Sequence, residues 1–316
     1  MTAKLRVGTR GSELALRQTR EIIERMQAHQ PGLEFEVVEI TTHGDRFGEM
    51  PIAAMAGEID RGIFNTGLEE AILSGEVDFA TCSFKDVESQ LPQGLTACSV
   101  GPRADPRDVL VSRHQTDLAG LPEGAELATS SPRRTSQLRA YRPDFRFRSL
   151  RGNITTRVAS AAEKFDGIIL AGAGLKRLGL AGRASQWIGL EILLPAAAQA
   201  ALGCEFATGR EDVARLVRSI QDADTELCVQ AEKRLLVTLS GGCFAPIGVL
   251  ATVANDRMTL ACRIVNLEGT LRIEQDIEGS KQAEEALVEE LARRIIAAGG
   301  REIIAETRAR LQEEGA

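Results

Sequence analysis

Between residues 126 and 177 the chain passes from a strand pattern to a helix pattern three times in succession, and that repetition constrains the fold more than any other stretch. The strand-like runs are ELATS, FRFRSL and GIILA, and the segments that follow them are SPRRTSQL, RGNITTR and GAGLKR. Successive units of this kind build a largely parallel sheet covered by helices, with the strand ends along one edge as the ligand-binding edge. At the first corner the spacing predicts Ser131 as N-cap and Pro132 at the first helical position. Such a helix start turns free backbone N–H groups and the positive end of the helix dipole toward an anion.

The same stretch is a basic island. From Arg133 to Arg177 eleven basic residues stand against three acidic ones, a local balance of +8 in a chain whose net charge is −7. A general nucleic-acid binder would be basic overall, so the island points to a discrete polyanionic ligand. Arg133 and Arg134 offer planar forks suited to carboxylate or phosphate, and Arg151, Arg157, Lys176 and Arg177 repeat the theme at the next two corners. A capped helix with solvated arginines is the plainer reading of any one corner, and the recurrence counts against it.

The rest of the chain reads as a soluble globular protein. Its 316 residues, 43% apolar and 26% charged, allow two or three domains with substantial cores. No run of about 18 apolar residues marks a membrane span, and the N-terminus lacks the apolar region of a secretory signal. Six cysteines without a CxxC pair, with three histidines, argue against a zinc site and for a reducing, cytosolic compartment. LRVGT, a helix capped by Ser12, and EFEVVEI read as a βαβ unit, followed by a long loop over residues 42–62. A helix is predicted over 64–73 and a strand over 77–83, whose end delivers Phe84, Lys85 and Asp86. GPRADPRD reads as a crossover into a second α/β unit with helices between its strands, and ALGCEFAT as a strand returning to the first. A helix over 222–239, then three strands and two helices, make an α+β module.

Two residues stand out for chemistry. Asp86 sits where catalytic groups commonly lie in parallel sheets; beside a ligand held by arginines it can steady a developing cation or protonate a leaving amine. Its alternative is a surface ion pair with Lys85. Cys243, in the glycine-rich SGGCFAP, is exposed enough to serve as an attachment point or nucleophile, with a structural turn cysteine as the alternative. No G-x-x-x-x-G-K-[ST] or G-x-G-x-x-G supports a nucleotide site.

With these residues assembled, the chain resembles the porphobilinogen deaminase family. The likeness runs in order through GTRGSELAL, THGD, SFKDV, PRADPRDVLVS, ATSSPRRTSQL, RSLRGNITTR, AGLKRLGL, LPAAAQAALGCE and GGCFAPIG, nearly the whole length. It implies an α/β fold: two periplasmic-binding-protein-like α/β domains plus a C-terminal α+β domain with a three-stranded sheet. The implied division is residues 1–101 with 200–219, 102–199, and 220–316. It also implies a dipyrromethane cofactor held by a thioether to Cys243, and the head-to-tail joining of four porphobilinogen molecules, with loss of ammonia each time, to give hydroxymethylbilane. Asp86 falls on the family's catalytic aspartate. Arg10, Ser12, Lys85, Thr129, Ser130, Ser131, Arg133, Arg134, Arg151, Arg157, Arg177 and Gln199 fall on cofactor- and substrate-binding positions, and Asp45 and Arg61 on the lid. A cytoplasmic monomer with no metal and no nucleic-acid or membrane partner is implied as well.

The chain departs from the family pattern in places. The lid reads IAAMAGEIDRGIF where LAKxGGKGLF is usual, with Ala54 at the first lysine, Arg61 near the second, and Glu58 and Asp60 added. HSxKDVP becomes CSFKDVE, with Cys82 and Glu88, and GQGA becomes AQAA, with Ala198 and Ala200; Glu13 and Pro132 are further changes. Fewer lid cations predict weaker substrate binding and a raised KM. A carrier or regulator of a pyrrole or other polycarboxylate is the second reading, and the retained Asp86, Cys243 and arginines favour the enzyme.

Overall fold

The computed structural model describes residues 4–42, 65–150, 152–240 and 245–313. The lid positions Asp45, Ala54, Glu58, Asp60 and Arg61, together with Arg151 and Cys243, lie outside the described residues.

The first sheet starts with β1 (Leu5–Thr9), buried from Val7 onward. It feeds α1 (Glu13–His29), capped as expected by the Ser12 hydroxyl, which accepts from the Ala15 N–H at 3.3 Å. β2 (Phe35–Glu39) runs parallel to β1 and forms the sheet edge, which is why Val37 stays 43% exposed. α2 (Thr66–Leu73), β3 (Phe79–Ser83) and β4 (Leu95–Val100) follow.

The second lobe holds β5 (Asp108–Ser112), β6 (Glu126–Ala128), α3 (Pro132–Tyr141), β7 (Arg146–Arg148), α4 (Ile154–Lys164), β8 (Gly167–Ala171), α5 (Gly172–Arg177) and β9 (Gln186–Trp187). The chain returns with β10 (Leu202–Ala207), which inserts between β3 and β4 antiparallel to both. The returning strand expected at ALGCEFAT is therefore present. One expectation is corrected: residues 113–125 between β5 and β6 form turns where a helix was expected; β9, two residues long, carried no sequence signal.

The two sheets share one plan. Their orders are β2-β1-β3-β10-β4 and β7-β6-β8-β5-β9. Each has three parallel strands, then one of opposite sense that has just arrived from the other lobe, then an edge strand. That doubled arrangement, crossed twice by the chain, is the binding-protein-like fold. It puts the carboxyl ends of β1 and β3 opposite those of β6, β7 and β8.

α6 (Glu211–Ser219) closes the first lobe's core beside Val7, Met26 and Phe79. α7 (Ala223–Thr238) then leads to β11 (Ile247–Ala254), β12 (Arg257–Val265) and β13 (Arg272–Ser280), an antiparallel sheet covered by α8 (Glu284–Ala297) and α9 (Gly300–Glu313). Leu235, Val249, Leu260 and Leu291 fill its core.

The two crossings between the lobes meet at Glu232 of α7. Its fully buried carboxylate accepts from Arg103 Nη1 at 2.5 Å on the outward crossing, the Ala198 N–H at 2.5 Å on the return, and the Ala251 N–H at 2.7 Å in β11. Arg103 Nε also donates to the Gln199 carbonyl at 2.8 Å. The return crossing turns sharply there: Ala198 has φ 56° and Ala200 φ 77°, a left-handed region that favours glycine. These are the two places where the resemblance expects glycine.

Relief of that backbone strain is measurable. Ala200→Gly is expected to raise stability by roughly 0.5–1 kcal/mol. Ala198→Gly should change little, because its methyl packs in a core cluster with Phe84 and Val87 and that packing is lost. Urea unfolding of both variants checks this, and a destabilised Ala200→Gly contradicts it.

Candidate active site

β3 is buried along its length until Ser83, and its carboxyl end passes directly into a one-turn 3-10 helix, Phe84–Asp86. Phe84 is buried and anchors the turn, its N–H donating to the Ala201 carbonyl at 3.0 Å, while Lys85 and Asp86 stay half-buried at the surface of the cleft. The two side chains form no ion pair with each other, which excludes the surface-pair alternative. The Asp86 carboxylate has no hydrogen-bond partner among the described residues. It borders a cavity of about 80 Å³ lined also by Arg10, Ser12, Gln18, Asn65, Thr81 and Ser83. Gln18 reaches across from α1 to donate to Ser83 Oγ at 2.9 Å, and Thr19 bonds Thr9 and Thr81 at 2.7 Å, so hydroxyl and amide bonds fix the cavity wall.

The arginines at the head of α3 point inward. Arg133 and Arg134 are 4% and 8% exposed and converge on Asp108, the first residue of β5. Arg133 Nη1 donates to Asp108 Oδ2 at 2.8 Å and to the Leu194 carbonyl at 2.8 Å. Arg134 donates to Asp108 Oδ1 from Nε at 3.1 Å and Nη2 at 2.7 Å, and to the Ile169 carbonyl at 3.1 Å. Burial pushes the Asp108 carboxyl up, but the two guanidiniums more than offset it and hold it at about 2. Sequence reading offers both forks to a ligand, whereas the structure gives each an internal carboxylate first; the trio keeps a net charge of +1. Lys85 lies in the field of this trio: burial pushes its ammonium down, Asp86 and Asp108 push it up, and the two arginines push it down again. Lys85 and Asp86 of the first lobe thus share one electrostatic site with Arg133 and Arg134 of the second.

Gln199, on the return crossing, donates to the Pro106 carbonyl at 2.7 Å and to Asp108 Oδ1 at 3.1 Å, and its buried Oε1 has no partner. Thr129 is buried, its hydroxyl accepting from the Ser131 N–H at 3.3 Å. Ser131 holds the N-cap position with extended backbone, yet its hydroxyl makes no capping bond. Ser130 staples two corners together, with Oγ 2.8 Å from Ser149 Oγ and donating to the Leu150 carbonyl at 3.0 Å. Arg157 Nε donates to the Gly152 carbonyl at 2.7 Å in the first turn of α4. Arg177 braces the lobes, donating to Glu21 Oε2 of α1 and to the Ala200 carbonyl, each at 3.2 Å.

Asp108, Gln18 and Asn65 were missed as site residues. An aspartate heading the apolar run DVLVS is the signal that was available for Asp108, since a buried carboxylate requires a cationic partner. Behind the Asp86 turn lies a second surprise. Glu205 of β10 and Glu69 of α2 are buried, each with one unpartnered oxygen. Burial first, then repulsion from Glu205, raises Glu69 to about 7. Burial raises Glu205 to about 7 against the hydrogen bonds of Cys82 and Asn65, the latter at 2.6 Å. Cys82 stands where the resemblance expects histidine, which leaves the Lys233 ammonium as the cation that opposes the rise. A carboxyl whose folded pKa exceeds its unfolded value contributes stability below the unfolded value and loses it as pH rises through about 7. Glu205→Gln, which copies the neutral acid, is therefore expected to gain stability relative to the parent between pH 5 and pH 8; a pH-independent difference in thermal unfolding contradicts this.

Known proteins place these features. Residues 5–215 match the family model described as "Porphobilinogen deaminase, dipyromethane cofactor binding domain", and residues 226–297 match "Porphobilinogen deaminase, C-terminal domain". The porphobilinogen deaminase of Brevibacillus brevis is 41% identical over 96% of this chain and 97% of its own length. That of Syntrophotalea carbinolica is 40% identical over 96% of each chain, and that of Desulforudis audaxviator 41% identical over 98% and 99%. Among solved structures, a nutrient binding protein from Burkholderia cenocepacia aligns with 70% of this chain and 93% of its own at 15% identity and a TM-score of 0.41. On the matches that span both lobes and the C-terminal sheet, the chain belongs to the porphobilinogen deaminase family.

Proposed function

We propose that this chain has hydroxymethylbilane synthase activity, joining four porphobilinogen molecules head to tail with release of ammonia. One observation carries the reading: a carboxylate with no hydrogen-bond or ion-pair partner among the described residues, Asp86, at a cavity that also holds Arg10 and Ser12, next to Lys85, which lies in the field of Arg133 and Arg134. Each pyrrole of the substrate brings two carboxylates and one N–H. Cations suit the former, and the bare Asp86 carboxylate suits the latter.

The donor set fits a dipyrromethane for the same reason, with the orphaned buried Oε1 of Gln199 as a further acceptor. When bound, the dipyrromethane supplies the pyrrole carbon to which each incoming unit is added. Asp86 steadies the positive charge that develops as the amine departs and can hand it a proton. Lys85, Arg10, Arg133 and Arg134 hold acetate and propionate groups, with Ser12, Thr129, Ser130 and Ser131 as hydroxyl donors. Arg157 and Arg177 add cations at the neighbouring corners, and the resemblance assigns Arg151 to the same binding role and Asp45 and Arg61 to the lid. Cys243 is assigned the thioether. The other cysteines support that choice, because all five are buried and burial pushes their thiols up, Cys98 to about 11 and Cys228 and Cys262 to about 12, which keeps them unreactive.

The free thiols also support a cytoplasmic location, and no helix of the described residues is long and apolar enough to cross a membrane. A monomer divided at residues 1–101 with 200–219, 102–199 and 220–316 completes the proposal, supported by separate cores under each sheet. No observation favours the carrier reading.

Intact mass and ammonia assays test the assignment together. The purified chain is expected to carry two pyrrole units, absent in Cys243→Ser. Asp86→Asn is expected to keep the added mass and release no ammonia from porphobilinogen. Parental turnover in Asp86→Asn, or the same mass in Cys243→Ser, overturns it.

A further inference from the structure

The turn that carries Asp86 has little to hold it. A three-residue 3-10 helix has weak internal bonding, and here it is the Val87 N–H to Phe84 carbonyl bond at 3.3 Å, with no side-chain cap at its start. The departing end of the turn is gripped from another domain. Lys233 of α7 donates from Nζ to the Val87 carbonyl at 2.6 Å and to the Glu88 carbonyl at 3.4 Å, and its ammonium lies 4.7 Å from the centre of the Phe84 ring. Lys233 is 7% exposed, and the residue before the turn's first N–H partner, Ala200, belongs to the crossing that Glu232 ties down.

An ammonium at this depth is expensive to desolvate. Its surroundings are mixed: Val229 one turn earlier on α7 packs against Phe84, Val87 and Ala198, while the carboxyls of Glu205 and Glu88 feel its charge. Its field eases the burial of those carboxyls, yet its hydrogen bonds at 2.6 and 3.4 Å go to backbone carbonyls of the segment after Asp86, which gives the ammonium a second, positional task. Two successive carbonyls converging on one Nζ fix the orientation of the two peptides that follow Val87, the residue next to Asp86, and the Phe84 ring beneath the ammonium fixes the start of the same turn.

We infer that Lys233 is a positioning residue for Asp86: through the Val87 and Glu88 carbonyls it locks the catalytic turn to the C-terminal domain and keeps the carboxylate at the cavity. Lys233 touches no substrate; it acts through the backbone. Consecutive residues of α7 then have separate tasks, Glu232 joining the lobe crossings and Lys233 holding the turn. The inference rests on the activity proposed above for its kinetic consequence, and on geometry alone for its structural one.

The test uses the full chain and compares Lys233→Met, which keeps the stem and loses the charge, with Lys233→Arg, which keeps the charge. Amide hydrogen exchange over residues 84–90 is expected to quicken at least about ten-fold in Lys233→Met and to stay near the parental rate in Lys233→Arg. With porphobilinogen, Lys233→Met is expected to lose about ten- to a hundred-fold in kcat with KM little changed, and Lys233→Arg to recover most of it. Unchanged exchange in Lys233→Met, or a loss confined to KM, overturns the inference. Should Lys233→Met fail to fold, Lys233→Gln carries the same comparison. If the parent itself releases no ammonia, the proposed activity fails, and the exchange comparison alone decides whether Lys233 holds the turn.

Discussion

Three segments far apart in sequence converge on the buried carboxylate of Glu232: Arg103 where the chain leaves the first lobe, Ala198 where it comes back, and Ala251 at the first strand of the C-terminal sheet. A carboxylate this deep is tolerable only with its acceptor capacity filled, and here a guanidinium and two backbone N–H groups fill it. The consequence is geometric. Both crossings are held side by side, and the return crossing emerges with Gln199 bonded to Asp108 on one side and Ala201 receiving the Phe84 N–H on the other. The two halves of the site are thus registered through a strap of a few residues, with the Arg177–Glu21 pair as a second brace between the lobes.

Charge matching explains the rest of the cleft. The basic island at residues 133–177 could have been a solvated face, yet its leading arginines are spent inward on Asp108 and its last one on Glu21. Each internal carboxylate fixes a guanidinium in place without cancelling the whole group, so a positive field remains where it can be aimed. Against that field Asp86 stands without an ion-pair partner among the described residues. A carboxylate kept bare beside cations is poorly explained by stability and well explained by a ligand that brings carboxylates to the cations and an N–H or a developing positive charge to the acid.

Local order was legible in the sequence, and long-range pairing was not. LRVGT, the Ser12 cap, the returning ALGCEFAT strand and the helix behind SGGC all follow from apolar period, capping residues and glycine stops, which act over a few neighbours. The doubled strand order left no sequence repeat, because a shared topology needs only matching patterns of burial. Asp108 and the arginine pair lie 25 and 26 residues apart, and nothing local says that one residue's charge is matched by the others. Ser131 shows the same limit at close range: its position as N-cap was readable, and the idle hydroxyl was not. The departures at Ala198 and Ala200 were visible as letters; their meaning, two alanines held at positive φ beside the Glu232 strap, came from the backbone.

The central claim is that one bare carboxylate among fixed cations lengthens a polycarboxylate chain on a sulfur anchor. The most direct measurement is the stoichiometry of the purified chain given porphobilinogen: ammonia released against bilane formed, the latter read as uroporphyrin after cyclisation. The account predicts four ammonia molecules for each uroporphyrin. Binding of porphobilinogen with neither ammonia nor uroporphyrin would contradict it.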